Sequence, residues 1–135
     1  MDADAIKTVV KESDLFRDLD ELEMELLRVK AGSRQFVEGD AIYRKGEEAG
    51  AIGLIVSGKV NVVAENGFVL RELGAGEVIG EVGTVSHGGK RSVTLTVSEP
   101  TELIEWQIED IEASSPELLE RLKDLAWKRL KYYSE

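Results

Sequence analysis

The chain has no cysteine, which excludes disulfides, thiolate metal sites and cysteine nucleophiles. It has one histidine, His87, so the cluster of histidines with a carboxylate that a small β-barrel metalloenzyme needs cannot be assembled, and no metal is expected. No apolar run is long enough to span a bilayer, and no basic-then-apolar leader opens the chain. A membrane or secretory setting is therefore not indicated, and a cytoplasmic one is expected. Positive charge is scarce: 17 Lys and Arg stand against 27 Asp and Glu, a net charge of −10. A chain this acidic repels nucleic-acid phosphates overall. No nucleophile–base pair or paired-acid site can be read, so an enzyme is not expected.

What is present fits one ordinary globular domain of 135 residues, 42% apolar and 33% charged, large enough to bury a core without staples. Three regions differ in hydrophobic period. Residues 1–32 read as a helical lead-in, with Ile6, Val9 and Val10 on one face and Leu22, Leu26 and Val29 at helical spacing. Asp18 to Glu21 suits a helix start, Gly32 suits a stop, and Leu15-Phe16 is apolar enough to pack on the next layer. Residues 33–108 change to short β-like runs separated by most of the chain's 13 glycines. Phe36 and Ile42 flank Gly39-Asp40. The runs Ala51 to Val56, Val60 to Val63, Phe68 to Leu73, Val78-Ile79, Ser92 to Val97 and Glu102 to Trp106 follow. Eight short strands with no room for crossover helices predict an antiparallel sandwich or barrel. Asn66-Gly67 signals a hairpin with a primed turn, in which both central residues need positive φ.

Residues 109–135 return to helical spacing. Ser114 or Ser115 can cap, Pro116 suits the first turn, and Leu119, Leu122, Ala126, Leu130 and Tyr133 form a stripe. That stripe can pack on the barrel or pair with a second copy. Trp106 and Trp127 are assigned to the core or to a seam between helix and barrel. Gly74-Ala75-Gly76 resembles a dinucleotide fingerprint, but its third glycine comes late and no βα unit surrounds it.

The chemistry concentrates in residues 79–93, IGEVGTVSHGGKRSV. Gly80 and Gly83 bracket Glu81, and Gly88-Gly89 precede Lys90-Arg91-Ser92. Glycines let backbone N–H groups approach a ligand closely. Arginine offers a planar fork that matches two phosphate oxygens, with the serine hydroxyl adding a donor beside it. A glutamate beside such a clamp is suited to a neutral sugar hydroxyl. An anion clamp next to a hydroxyl acceptor describes a ribose that carries phosphate.

Gly80-Glu81 followed by Arg91-Ser92 resembles the phosphate-binding cassette of cyclic-nucleotide-binding domains, the bacterial catabolite activator protein and its relatives above all. Upstream, Phe36-x-x-Gly39-Asp40-x-Ile42, Gly46-Glu47, Ile55-Val56-Ser57-Gly58-Lys59-Val60 and Leu73-x-x-Gly76-Glu77 match the family's skeleton in order. The resemblance runs from about Leu15 to Tyr133.

It implies a mainly β fold, an eight-stranded antiparallel, jelly-roll-like β-roll with N-terminal helices and a C-terminal helix. It further implies that Arg91 and Ser92 hold a cyclic phosphate, that Glu81 accepts from the ribose 2′-OH, and that Gly80 lends backbone N–H. Ile79, Val82, Val93, Leu70 and Val62 would line the pocket, Arg71 would reach the base edge, and Tyr133 or Ser134 would cap the base. Lys90 would add positive charge to the anion site. Gly53, where relatives carry an aromatic residue, suggests a bulge.

The function expected is a non-catalytic sensor that binds cAMP in preference to cGMP, since Ser92 stands where cGMP-preferring relatives often have threonine. It would relay binding through the C-terminal helix to an effector protein, with homodimerisation through that helix and no DNA-binding domain within these residues. The alternatives are a protein-interaction module that kept the fold and lost the ligand, or a fragment of a larger transcriptional regulator.

Overall fold

The computed structural model describes residues 13–84 and 89–134. The lead-in face of Ile6, Val9 and Val10 lies outside them, as does His87. The order of elements is a 3-10 turn (Asp14–Phe16), α1 (Glu21–Lys30), β1 (Gly32–Phe36), β2 (Ala41–Tyr43), β3 (Ala51–Ser57), β4 (Val60–Val63), β5 (Val69–Leu73) and β6 (Val78–Ile79). A 3-10 turn (Glu81–Thr84), β7 (Thr94–Val97), β8 (Thr101–Gln107), α2 (Ile108–Ser114) and α3 (Pro116–Ser134) complete it. The strand pairs among the described residues are all antiparallel. They form two four-stranded sheets in the orders β1-β8-β3-β6 and β2-β7-β4-β5, the jelly-roll arrangement expected.

Two apolar clusters explain the strand sequences. One fills the roll between the sheets, with Ile55, Val62, Leu73, Ile79, Leu95 and Leu103 at its centre. The other lies outside the first sheet, where Ile52, Leu54, Ile104 and Trp106 meet Phe16, Leu27, Ile111, Leu118 and Leu122. β3 therefore has both faces covered, which is why it reads as a nearly continuous apolar run rather than an alternating one. Trp106 joins sheet to helix. Its ring meets Phe16 at 5.5 Å between centroids, and its Nε1–H donates to the Leu27 carbonyl at 2.8 Å.

The helix ends follow capping chemistry. Asp20 and Glu23 form a reciprocal capping box at the start of α1. Ser115 accepts from the Leu118 N–H at 3.3 Å and donates to the Glu23 carboxylate, so the cap of α3 is tied to the start of α1. Arg121 adds a second tie through the carbonyls of Leu15 and Arg17.

The structure corrects four local expectations. Leu22, Leu26 and Val29 are 68%, 40% and 62% exposed, while Leu27 is buried and Met24 packs against the core. α1 carries two apolar stripes, and the sheet takes the other one. The helix ends at Lys30 with Ala31 as an extended C-cap, so Gly32 stands just past the stop, as expected, and opens β1. At Asn66-Gly67 only Gly67 has positive φ, 89°. Its N–H bonds the Ala64 carbonyl, and Ala64 N–H bonds Phe68, each at 2.9 Å, so the hairpin has a three-residue loop rather than a primed two-residue turn. The irregularity in β3 falls between Ile55 and Ser57, not at Gly53. A Cβ on Gly53 would stand 3.0 Å from Ile79 Cγ1, so its glycine serves close packing. Finally, Trp127 is 58% exposed on α3 and takes no part in the core.

The two tryptophans should separate cleanly in urea unfolding. Trp106→Phe loses both volume and a buried hydrogen bond and is expected to cost about 2–3 kcal/mol, whereas Trp127→Phe should stay within about 0.5 kcal/mol of the parent. Equal losses from the two would contradict the packing described.

Candidate functional site

The cassette predicted over residues 79–93 is held at both ends, and residues 85–88 within it lie outside the described part. At its start β6 is followed by Gly80, with φ 83°, and by the 3-10 turn carrying Glu81 and Val82. At its end the backbone of Arg91 pairs with the loop between β2 and β3: Arg91 N–H donates to the Glu47 carbonyl at 2.7 Å, and Gly46 N–H to the Arg91 carbonyl at 2.9 Å. Ala49 N–H adds a bond to the Gly89 carbonyl at 2.8 Å. These bonds bring Arg91 under the 3-10 turn, so Gly80, Glu81, Arg91 and Ser92 share one cavity.

Arg91 is 6% exposed. Its Nη1 donates to the Gly80 carbonyl at 3.0 Å and its Nη2 to the Ala51 carbonyl at 2.9 Å. The guanidinium lies 3.6 Å from the centroid of the Tyr43 ring, in cation–π contact. A Cβ on Gly80 would stand 2.7 Å from Arg91 Nη1, so only glycine leaves room for the guanidinium there. Burial pulls the Arg91 pKa below its ordinary value, opposed by the nearby Tyr43, Glu105 and Glu47; a guanidinium remains charged regardless. Two buried donors of the clamp, Arg91 Nε and Ser92 Oγ, have no hydrogen-bond partner among the described residues. Buried polar atoms rarely stay unsatisfied without a reason.

Glu81 is 2% exposed and forms a buried ion pair with Arg129 of α3, Nη1 to Oε1 at 2.8 Å. The same Nη1 donates to the Val78 carbonyl at 2.6 Å. The carboxylate expected to read a sugar hydroxyl is thus engaged by the C-terminal helix. Arg129 was not anticipated, although a signal was present: it sits three residues after Ala126 and seven after Leu122, a charge on the apolar face. Tyr43 was also missed. It follows Ile42 with both residues buried, which breaks the alternation that normally marks a strand's inner face.

Gly80, Glu81, Arg91, Ser92, Ile79, Val62, Val82 and Val93 line one cavity together with Arg129 and Tyr43. Its volume is about 30 Å³, enough for water but not for a nucleotide. Other expected residues fall elsewhere. Leu70 lines a neighbouring open depression of about 400 Å³ that shares Ser92 and Val93 with the cavity. Arg71 is directed to Glu77 at 3.6 Å, and Lys90 to Glu48 at 3.6 Å on the surface, because both cations find carboxylates outside the roll. Tyr133 and Ser134 are in α3, but their side chains lie outside the described residues. Among the described residues no helix is long and apolar enough to cross a membrane, and no group of three potential metal ligands occurs.

The family model of the cyclic nucleotide-binding domain matches residues 33–114. A cyclic nucleotide-gated cation channel protein of Drosophila melanogaster is 36% identical over 84 residues, which is 62% of this chain and 13% of the relative. The CRP-like protein Clp of Xanthomonas campestris is 27% identical over 111 residues, 79% of this chain. The chain spans about half the length of Clp, 48%. Among solved structures, the regulatory subunit of a cAMP-independent protein kinase A from Trypanosoma brucei superposes over 98% of this chain and 50% of its own, with TM-score 0.83 and 22% identity. The regulatory domain of Toxoplasma gondii PKA with cAMP covers the same shares, with TM-score 0.75 and 21% identity. At these identities the structures establish the fold.

A double-mutant cycle measures the tie between α3 and the cassette. Arg129→Met or Glu81→Gln alone leaves a buried charge without its partner and should each destabilise by about 3–5 kcal/mol in urea unfolding. The double variant should lose about 1–3 kcal/mol less than the sum, whereas additivity within about 0.5 kcal/mol would deny the coupling.

Proposed function

We propose that this chain, which belongs to the cyclic nucleotide-binding domain family, acts as a sensor that binds cAMP in its β-roll and reports the ligand through α3. The observation that carries this reading is the pair of unsatisfied buried donors, Arg91 Nε and Ser92 Oγ, in one cavity. An oxyanion completes both at once, with a charge-assisted bond from the guanidinium edge. Arg91 need not leave its carbonyl partners to receive it. Glu81 then serves the ribose 2′-OH, sharing itself with Arg129 or exchanging one for the other. Leu70 in the adjoining depression offers an apolar face for the base.

Domains of this family regulate, and the site residues are assigned binding rather than chemical roles. A cavity of about 30 Å³ must open to admit the ligand, and Arg129 makes α3 part of that opening. The exposed Trp127 on the same helix is available to an effector or to a second copy, and the setting is cytoplasmic. Ser92 favours cAMP over cGMP.

One observation favours the second reading, a fold whose pocket is no longer used. Glu81 is already paired with Arg129 within the chain, and the structural neighbour from Trypanosoma brucei is described as cAMP-independent.

Titration calorimetry with cAMP and cGMP separates the two. The sensor reading expects cAMP binding with a smaller response to cGMP, a loss of about tenfold or more in Arg91→Lys because the fork geometry is gone, and a stabilisation of about 2.7 kcal/mol at 100 times the dissociation constant. No heat and no shift in unfolding at millimolar nucleotide would leave the second reading standing.

A further inference from the structure

We infer that Tyr43 is a positioning residue for the phosphate-binding arginine, its ring seating the Arg91 guanidinium and Glu105 fixing the ring. The inference rests on the sensor reading for its meaning, but the geometry stands on its own. A guanidinium has two faces and three edges. In Arg91 one N–H of Nη1 and one of Nη2 go to the carbonyls of Gly80 and Ala51, and one face is taken by Tyr43 at 3.6 Å. Of its three nitrogens, Nε is the one that is buried with no partner among the described residues, in a side chain that lines the cavity. Tyr43 completes the set of contacts that fixes the guanidinium plane and with it the direction of the Nε–H.

The ring is itself held. Tyr43 Oη donates to Glu105 Oε2 at 2.5 Å, and Glu105 pairs with Arg34 at 3.2 Å. The bond joins the two sheets, since Tyr43 lies in β2 and Glu105 in β8. Burial pushes the Tyr43 phenol pKa well up, and the hydrogen bond to Glu105 pushes the same way, so the hydroxyl stays a donor across the neutral range.

Tyr43 also separates charges. A second depression, of about 430 Å³, is lined by Arg91 and Tyr43 together with Glu47 and Glu105. Those carboxylates attract the same cation that must meet the phosphate. With the ring in place the guanidinium is kept against its carbonyls. With the ring removed, no aromatic face seats the guanidinium, and Glu105 becomes a competing partner for Arg91.

The test is calorimetry with cAMP on the full chain and its Tyr43→Phe and Tyr43→Leu variants, paired with 1H–15N spectra of the arginine Nε–H groups. Arg91 is assigned by the signal missing in Arg91→Lys. Tyr43→Phe keeps the ring and should bind within about threefold of the parent, while Tyr43→Leu should bind about 10- to 30-fold more weakly. In the spectra the Arg91 Nε–H should lie upfield through the ring current in the parent and in Tyr43→Phe, and should lose that shift in Tyr43→Leu. Equal affinity of parent and Tyr43→Leu, or a Tyr43→Phe loss as large as that of Tyr43→Leu, would overturn the role of the ring. An Arg91 signal without the upfield shift in the parent would overturn the seat, and that reading needs no variant at Tyr43 to fold. A parent with the ring-current shift but no cAMP binding would support the seat while ending the sensor reading.

Discussion

A cation withdrawn from water constrains everything around it. Arg91 is permanently charged and nearly inaccessible, and its hydration must be replaced donor by donor. The replacements are two carbonyl oxygens and an aromatic face, none of which carries a formal charge. The guanidinium is therefore solvated without being neutralised. This explains why the surrounding sequence is so particular: Gly80 gives room for Nη1, the β2–β3 loop pins the Arg91 backbone, and Tyr43 is fixed from the opposite sheet by Glu105. Each neighbour supplies polarity and leaves the charge exposed to the cavity.

Arg129 is handled in the opposite way. It meets a carboxylate, so its charge is cancelled where it is buried. The pair connects α3 to the turn that carries Glu81, and α3 is in turn tied to α1 through Ser115 and Glu23 and to the first turn through Arg121. The contact of Arg129 with Glu81 thus couples the bonding of the cassette carboxylate to the packing of α3. Such coupling is reciprocal by thermodynamic necessity.

Much of this was legible in the chain. The eight strands stood out because their apolar runs are short and glycine-bounded, and the covered strand β3 declared itself by failing to alternate. Gly80, Glu81, Arg91 and Ser92 could be singled out from the ten-residue spacing of Glu81 and Arg91, and they line one cavity. What escaped was fixed by packing between distant segments. The two stripes of α1 are equally periodic, and only the sheet beneath decides that Leu27 rather than Leu26 is buried. Tyr43 and Arg129 reach the site from β2 and α3, separated from Glu81 by 38 and 48 residues, and nothing in local periodicity announces a contact across such distances. Trp127 shows the converse: a large aromatic residue on an amphipathic helix suggests a core position, yet the helix turns it to water.

The charges at the cavity bear on what it can hold. Among its described lining residues, Arg91, Arg129 and Glu81 are the ionised ones, leaving a single net positive charge inside a chain whose total is −10. The total matters little here, because surface charges are screened over about 8–10 Å in physiological salt, whereas the buried three interact through protein. A cyclic phosphodiester carries one negative charge and matches that excess. A phosphate monoester carries between one and two near neutral pH and would bring surplus charge toward Glu81, which cannot move to water without breaking its pair with Arg129. The same pair keeps Glu81 from repelling a monoanion outright, since its charge is cancelled at 2.8 Å. Charge matching and the tie to α3 thus depend on one contact, the Arg129–Glu81 pair.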